Sequence, residues 1–175
     1  MILALGAAPP PPAALQADDT PAILEAAIRE VVVERVVRRV WGGLPVGREL
    51  LLQTDLSPVS PGYQMRIPSA AGGVVRTEAQ AWSSSFPLHF VSKAKLNEVF
   101  MRSESWDWKE FYNEFPKALC IVTFSEVRRE GVRSSRAVVE VTVTWGSLAG
   151  ESYLVDLRRE AGSWKVHAVE DGPMA

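Results

Sequence analysis

Past Pro116 the apolar residues of this chain recur at every second position in successive segments, and segments of that kind bury their apolar side only by pairing into a sheet. Cys120 to Val127 is the first. Ala137 to Trp145 reads AVVEVTVTW, Glu151 to Leu157 follows, and Ser163 to Val169 closes the set, with Trp164, Val166 and Ala168 expected on one face. The intervening REGVRSS, GSLAG and REAGS are short, polar or glycine-bearing, which predicts an antiparallel meander of neighbouring strands.

A half-apolar sheet needs a covering layer, and the preceding residues supply helices for it. Thr20-Pro21 pairs a hydroxyl cap with a proline at a tolerated helix position and starts a helix running through Ile23 to Val40. Glu25/Arg29 and Glu34/Arg38 are spaced for i,i+4 support along it. Its VVVERVVRRV run is rich in β-branched residues and makes no single clean stripe; Gly42-Gly43 supplies the stop. Glu49 to Thr54 reads as a short strand, and residues 86–91 as another that Pro87 pushes toward an edge. Between them, residues 57–81 read as an irregular proline- and glycine-rich connection. Ser92 to Phe100 predicts a helix, and Trp108, Phe111, Tyr112 and Phe115 fall at helical spacings before Pro116 ends that element. The expected fold is α+β: an N-terminal helix and aromatic central helices packed on an antiparallel sheet of about four or more strands.

With 175 residues, 47% apolar and 23% charged, the chain fits one domain, taken as residues 20–172. Residues 1–19 read either as a flexible Ala/Pro tail or as the remnant of a secretory signal. The apolar start and the small residues up to Ala17 favour the second; the missing basic residue and the prolines from Pro9 to Pro12 favour the first. A signal would place the protein in the periplasm or outside the cell, and its absence in the cytoplasm. Every later apolar stretch is broken by charge, so no integral membrane segment is expected. A net charge of -2 argues against a nucleic-acid partner. Cys120 is the single cysteine, which excludes an intrachain disulfide and a cysteine-built zinc site; within ALCIV it reads as a buried, inert thiol.

Trp108-Lys109-Glu110-Phe111-Tyr112, Pro116, Phe124-Ser125-Glu126-Val127, Arg136-Ala137, Gly146-Ser147-Leu148-Ala149-Gly150 and Gly162-Ser163-Trp164-Lys165-Val166 together form a recognisable series. It resembles a pattern of small uncharacterised bacterial proteins, WxxFY, FSxV, GxLAG and GxWxV in order, to which no activity is attached. The closing strands are also similar to those of the NTF2-like, cone-shaped α+β superfamily, which holds isomerases, dehydratases, small-ligand binders and interaction modules. That likeness implies an aromatic-lined cavity inside a curved sheet and leaves the activity open. The chain departs from a typical member by its proline-rich connection and its late second helical region.

Signatures of chemistry are sparse. His89 and His167 are the two histidines, and neither has a second ligand at metal-site spacing, so no metal site and no cofactor are expected. His167 reads as a solvated strand residue, whereas His89 would point inward if the sheet curls, making it the weak candidate for a catalytic base. There is no GxSxG, phosphate loop or dinucleotide fingerprint. Trp82, His89, Trp108, Tyr112 and Trp145 are the residues best suited to line a ligand pocket, although an aromatic stripe such as that of Trp108 and Tyr112 also suits a core. Two readings stay open. The favoured one is a non-catalytic domain binding a protein or a small molecule; the other is a small cone-fold enzyme or carrier using His89 in an aromatic pocket. Sheet-mediated homodimerisation is a corollary of either.

Overall fold

The computed structural model describes residues 19–61, 81–102, 108–129 and 134–172, and the backbone of 74–76. The tail before Asp19 and much of the 57–81 connection lie outside these residues.

The chain enters α1 (Thr20–Ala27), which continues without a break through a π-helical segment, π1 (Ile28–Val37), into α2 (Arg38–Trp41). Asp19, rather than Thr20, occupies the cap position, and its side chain makes no capping bond; Thr20 is the first helical residue and is buried. The π segment explains why the valine-rich run lacks a clean stripe. Buried pairs recur at Ile23/Leu24, Ala27/Ile28 and Val31/Val32, four residues apart, but the next pair, Val36/Val37, comes after five. An α-helix would rotate that last pair away from the others. Bonding from i to i+5, seen where the Arg38 amide donates to the Val33 carbonyl, adds a residue to the turn and returns the pair to the buried face. Gly42, with φ of 77°, then closes the helix in a left-handed cap that a side chain would strain.

The sheet is mixed. Its centre is β6 (Arg136–Gly146), which pairs antiparallel along one edge with β7 (Ala149–Glu160). Along its other edge lie β4 (Ala118–Phe124) and β5 (Val127–Arg129), interrupted at Ser125-Glu126. β8 (Ser163–Asp171) pairs antiparallel with β7 and completes the meander expected from the period-two pattern. β1 (Glu49–Gln53) instead lies parallel to β4, and β3 (Leu88–Val91) lies parallel to β1. The connection expected to be irregular contributes β2 (Val74–Arg76), antiparallel to β5.

One facing assignment is corrected. Asp156 pairs with Ala168 but Leu157 pairs with Val166, so His167 is an extra residue in β8, a bulge that reverses the alternation beyond it. Trp164 and Val166 therefore share the core face with Val169, while Ala168 is exposed.

The faces of the sheet carry different cover. The α1–π1 helix packs on Leu50, Leu52, Cys120, Val122, Val139, Val141, Val143, Val155 and Leu157. On the opposite face, α3 (Lys93–Phe100), capped by the Ser92 hydroxyl, and α4 (Trp108–Glu114) pack on Leu51, Val91 and Ile121. The aromatic stripe belongs to this second core: Phe111 and Phe115 are buried, and Trp108 and Tyr112 are half-buried against them. On the same face, Val59 covers Val138 of β6 and Leu154 of β7 in a third, smaller cluster.

Candidate functional site

A concavity of about 680 Å³ lies between α1 and the start of β8. Its position follows from the hairpin. Glu160 and Ser163 pair across a two-residue turn, Ala161-Gly162, in which both residues have positive φ, 48° and 86°. Alanine in that region is strained, and it sits beside the groove. The turn brings Gly162, Ser163, Trp164, Lys165 and Val166 opposite Ala22 and Ala26 of α1. Alanines keep the helix surface low, so space remains between it and the indole.

Trp164 is the central residue of this wall. It is 7% exposed, its ring lies under the Arg129 guanidinium at 5.6 Å, and its indole N–H is buried without a partner among the described residues. Buried indole donors ordinarily find an acceptor, so this one is a feature to be explained. The charged lining comprises Asp19, Glu25, Arg29, Glu30 and Lys165. Asp19 bridges Arg129 at 3.5 Å and Arg159 at 3.4 Å, which ties the start of α1 to β5 and β7.

Glu25 is held more firmly still. Its carboxylate accepts hydrogen bonds from Trp82 Nε1 at 2.9 Å, the Ser84 hydroxyl at 2.7 Å, the Ser85 amide at 2.9 Å and the Ser85 hydroxyl. Burial alone would raise its pKa, but the bonds from Ser85, Trp82 and Ser84 together outweigh it and hold the carboxyl below its ordinary value. Arg29 does not pair with Glu25 as the i,i+4 spacing suggested; it donates to the Ser85 hydroxyl at 3.3 Å and lies over Phe86. Glu34 and Arg38 do pair, at 2.8 Å. With Asp19, Glu25 and Arg29 engaged, Glu30 and Lys165 are the groove charges best placed to turn toward a ligand; Lys165 has only a 3.5 Å contact to Glu160.

The five pocket candidates read from the sequence are distributed over different parts of the fold. Trp82 and Trp145 pack against the α1-side core, Trp82 edge-on to Phe90 and Trp145 edge-on to Trp41. Trp108 and Tyr112 belong to the opposite core, and the Tyr112 hydroxyl donates to the Trp145 carbonyl at 3.2 Å. His89 stands on β3 with its side chain 46% exposed, its ring edge-on to Phe115 and its Nδ1 3.5 Å from a Glu49 oxygen. A hollow of about 380 Å³ adjoins Glu49 and Lys117, and His89 is not among its lining residues. His167 is exposed on the β8 bulge.

Other titratable groups serve packing. Cys120 is fully buried, and burial pushes its thiol up to about 12, which leaves it protonated and unreactive at neutral pH. Tyr153 is likewise raised to about 12, by burial first and then by its bond to Glu151, which also receives Arg39 from α2. This trio clamps the last turn of the helix onto β7. Among the described residues no group of three or more His, Cys, Asp and Glu is placed to hold a metal ion, and no helix is long and apolar enough to cross a membrane.

The residues of the groove were not singled out from the sequence. The alternation puts Trp164 on one face with Val166 and Ala168, and the i,i+4 spacing gives Glu25 to Arg29; neither points to a groove. The only local signal was the glycine turn before Trp164; the approach of α1 and of Trp82 to this region is a long-range event. No family model, curated protein or solved structure matches the chain.

Proposed function

We propose that this chain is a non-catalytic binding domain whose ligand site is the groove between α1 and β8. The observation that carries the reading is the indole of Trp164, its N–H buried without a partner among the described residues, in the wall of a concavity of about 680 Å³. A ligand with a hydrogen-bond acceptor and a flat or slender apolar body fits this wall. The indole N–H has no exposed surface in the free protein, so the acceptor would reach it on a small rotation of the ring toward the groove; the body would lie on Ala22, Ala26 and Val166, and Glu30 and Lys165 would orient a polar or zwitterionic periphery. Recognition through the groove is favoured over pairing along the β8 edge, because that edge carries Lys165 and the His167 bulge, both of which discourage strand addition.

Native mass spectrometry of the protein isolated from its own host tests the reading. We expect a constant small added mass on the wild type that disappears in Ala22→Trp, a change at an exposed helix position that fills the groove and spares the core. An added mass retained by Ala22→Trp would place the ligand elsewhere; bare protein in both samples would remove the support for a tightly held small ligand. The rival reading, a cone-fold enzyme or carrier, is favoured by one contact, His89 to Glu49 at 3.5 Å, a histidine with a carboxylate in reach. Its exposed position on β3 gives it little shielding from water, which is why it ranks second.

A further inference from the structure

The sheet face opposite α1 holds a buried carboxylate that forms no ion pair with a basic side chain among the described residues. Glu140, in the middle of β6, is 6% exposed. One carboxylate oxygen accepts from the Ser60 hydroxyl at 2.8 Å and the Ser152 hydroxyl at 2.9 Å; the other accepts from the Ser60 amide at 2.8 Å. These donors hold the group in place and tie residues 57–60 across the strands. They are dipoles, however, and a buried carboxylate is ordinarily compensated by a full positive charge. On the neighbouring strands Arg136 bridges Asp156 at 3.0 Å and Arg128 bridges Glu126.

Beside Glu140 lies a hollow of about 140 Å³ lined by Ser57, Ser60, Thr123, Ser125 and Thr142, with Pro58 and Phe124 closing it. Its polar lining is all oxygen-bearing: hydroxyls and one carboxylate. No side-chain bond of the Ser57 or Thr123 hydroxyl is seen among the described residues, so both have lone pairs to offer.

We propose that this hollow is a site for a hard monovalent cation, sodium or potassium, held by Glu140 and the surrounding hydroxyl oxygens. Oxygen donors alone select a hard ion, and a single carboxylate matches one positive charge better than two. The volume admits the ion together with water, which completes its coordination. The site is independent of the α1–β8 groove, being on the other face of the sheet. Its consequence is local: the ion would join the chain around Ser57–Ser60 to β4 and β6, so that loading it stiffens the entry to the long connection.

Thermal unfolding at constant ionic strength tests the proposal, with sodium, potassium or tetramethylammonium chloride as the only salt. The expected result is a midpoint that rises with sodium or potassium concentration and not with tetramethylammonium, as linkage requires for an ion that binds only the folded state. Glu140→Gln should lose the cation-specific rise. If that variant fails to fold, Thr123→Val, which removes a hydroxyl at a half-buried position while keeping its shape, should shift the rise to higher cation concentration. Identical midpoints in all three salts would overturn the proposal. So would a sodium or potassium response undiminished in Glu140→Gln or, where that variant does not fold, in Thr123→Val.

Discussion

Replacing Phe111 by alanine separates a core from a pocket on the aromatic helix. Phe111 is fully buried in α4 and touches four rings: Phe100 stacked at 5.7 Å, Trp108 at 5.0 Å, Tyr112 at 5.1 Å and Phe115 at 5.5 Å. Truncation of a buried phenylalanine costs about 3–5 kcal/mol, set by how far the surroundings collapse. Here the neighbours are rigid rings anchored on the sheet through Leu51 and Ile121, so collapse is poor and the upper half of that range, about 4 kcal/mol, is expected. For a domain of this size the melting midpoint should fall by roughly 10 °C. Urea unfolding followed by far-UV circular dichroism would measure it directly. The half-buried Trp108→Ala should cost less, about 2 kcal/mol, because part of the ring already faces water. A loss below about 1 kcal/mol for Phe111→Ala would refute the argument, since a side chain lining a ligand pocket can be truncated without opening a dry core.

Other consequences follow from single groups. Glu25 has a lowered pKa when folded, so its stabilisation is present above the ordinary carboxylate value and is lost as pH falls through the folded one; Glu25→Gln should be less stable than wild type at neutral pH, with the gap in urea midpoint closing below about pH 4. Unchanged spacing between the two curves down to low pH would show that the carboxylate's charge is irrelevant there. Cys120 should resist a thiol-specific reagent at pH 8 in the native protein and react after denaturation; rapid native labelling would contradict its burial. Ala161→Gly should relieve the left-handed strain at φ of 48° and raise stability by about 1 kcal/mol, and a destabilised variant would show that the turn is not strained as described.

Much of the fold was legible because local patterns carry it. Alternation marks β6, β7 and β8 to within a few residues, Ser92 caps its helix, and Gly42 stops the first one. The parallel placement of β1 between β3 and β4 has no local signature: its three leucines, Leu50 to Leu52, are buried on both faces, so they show no alternation and announce neither neighbour nor direction. The bulge at His167 was equally silent, since one extra residue leaves composition unchanged while reversing the face of everything beyond it. The π segment did leave a trace, the step from four to five between valine pairs, which registered only as an untidy helix.

The candidate sites were less legible for the same reason. Glu25 gathers Trp82, Ser84 and Ser85 from more than fifty positions away, and Trp164 meets α1 across almost the whole chain. Glu140 was visible in outline. In AVVEVTVTW the residues Glu140, Thr142 and Thr144 alternate onto one side, which ordinarily marks a solvated face; the chain around Val59 and Ser60 covers part of it and turns a surface glutamate into a buried one.

The groove is the proposed ligand site, and its most direct test is the ¹H–¹⁵N spectrum of the six tryptophan indoles while acceptor-bearing aromatic fragments are added. The Trp164 indole resonance should move first and saturate, and Ala22→Trp should abolish the response. Fragments that bind while leaving Trp164 unmoved, shifting Trp108 or the His89–Glu49 surface instead, would contradict it.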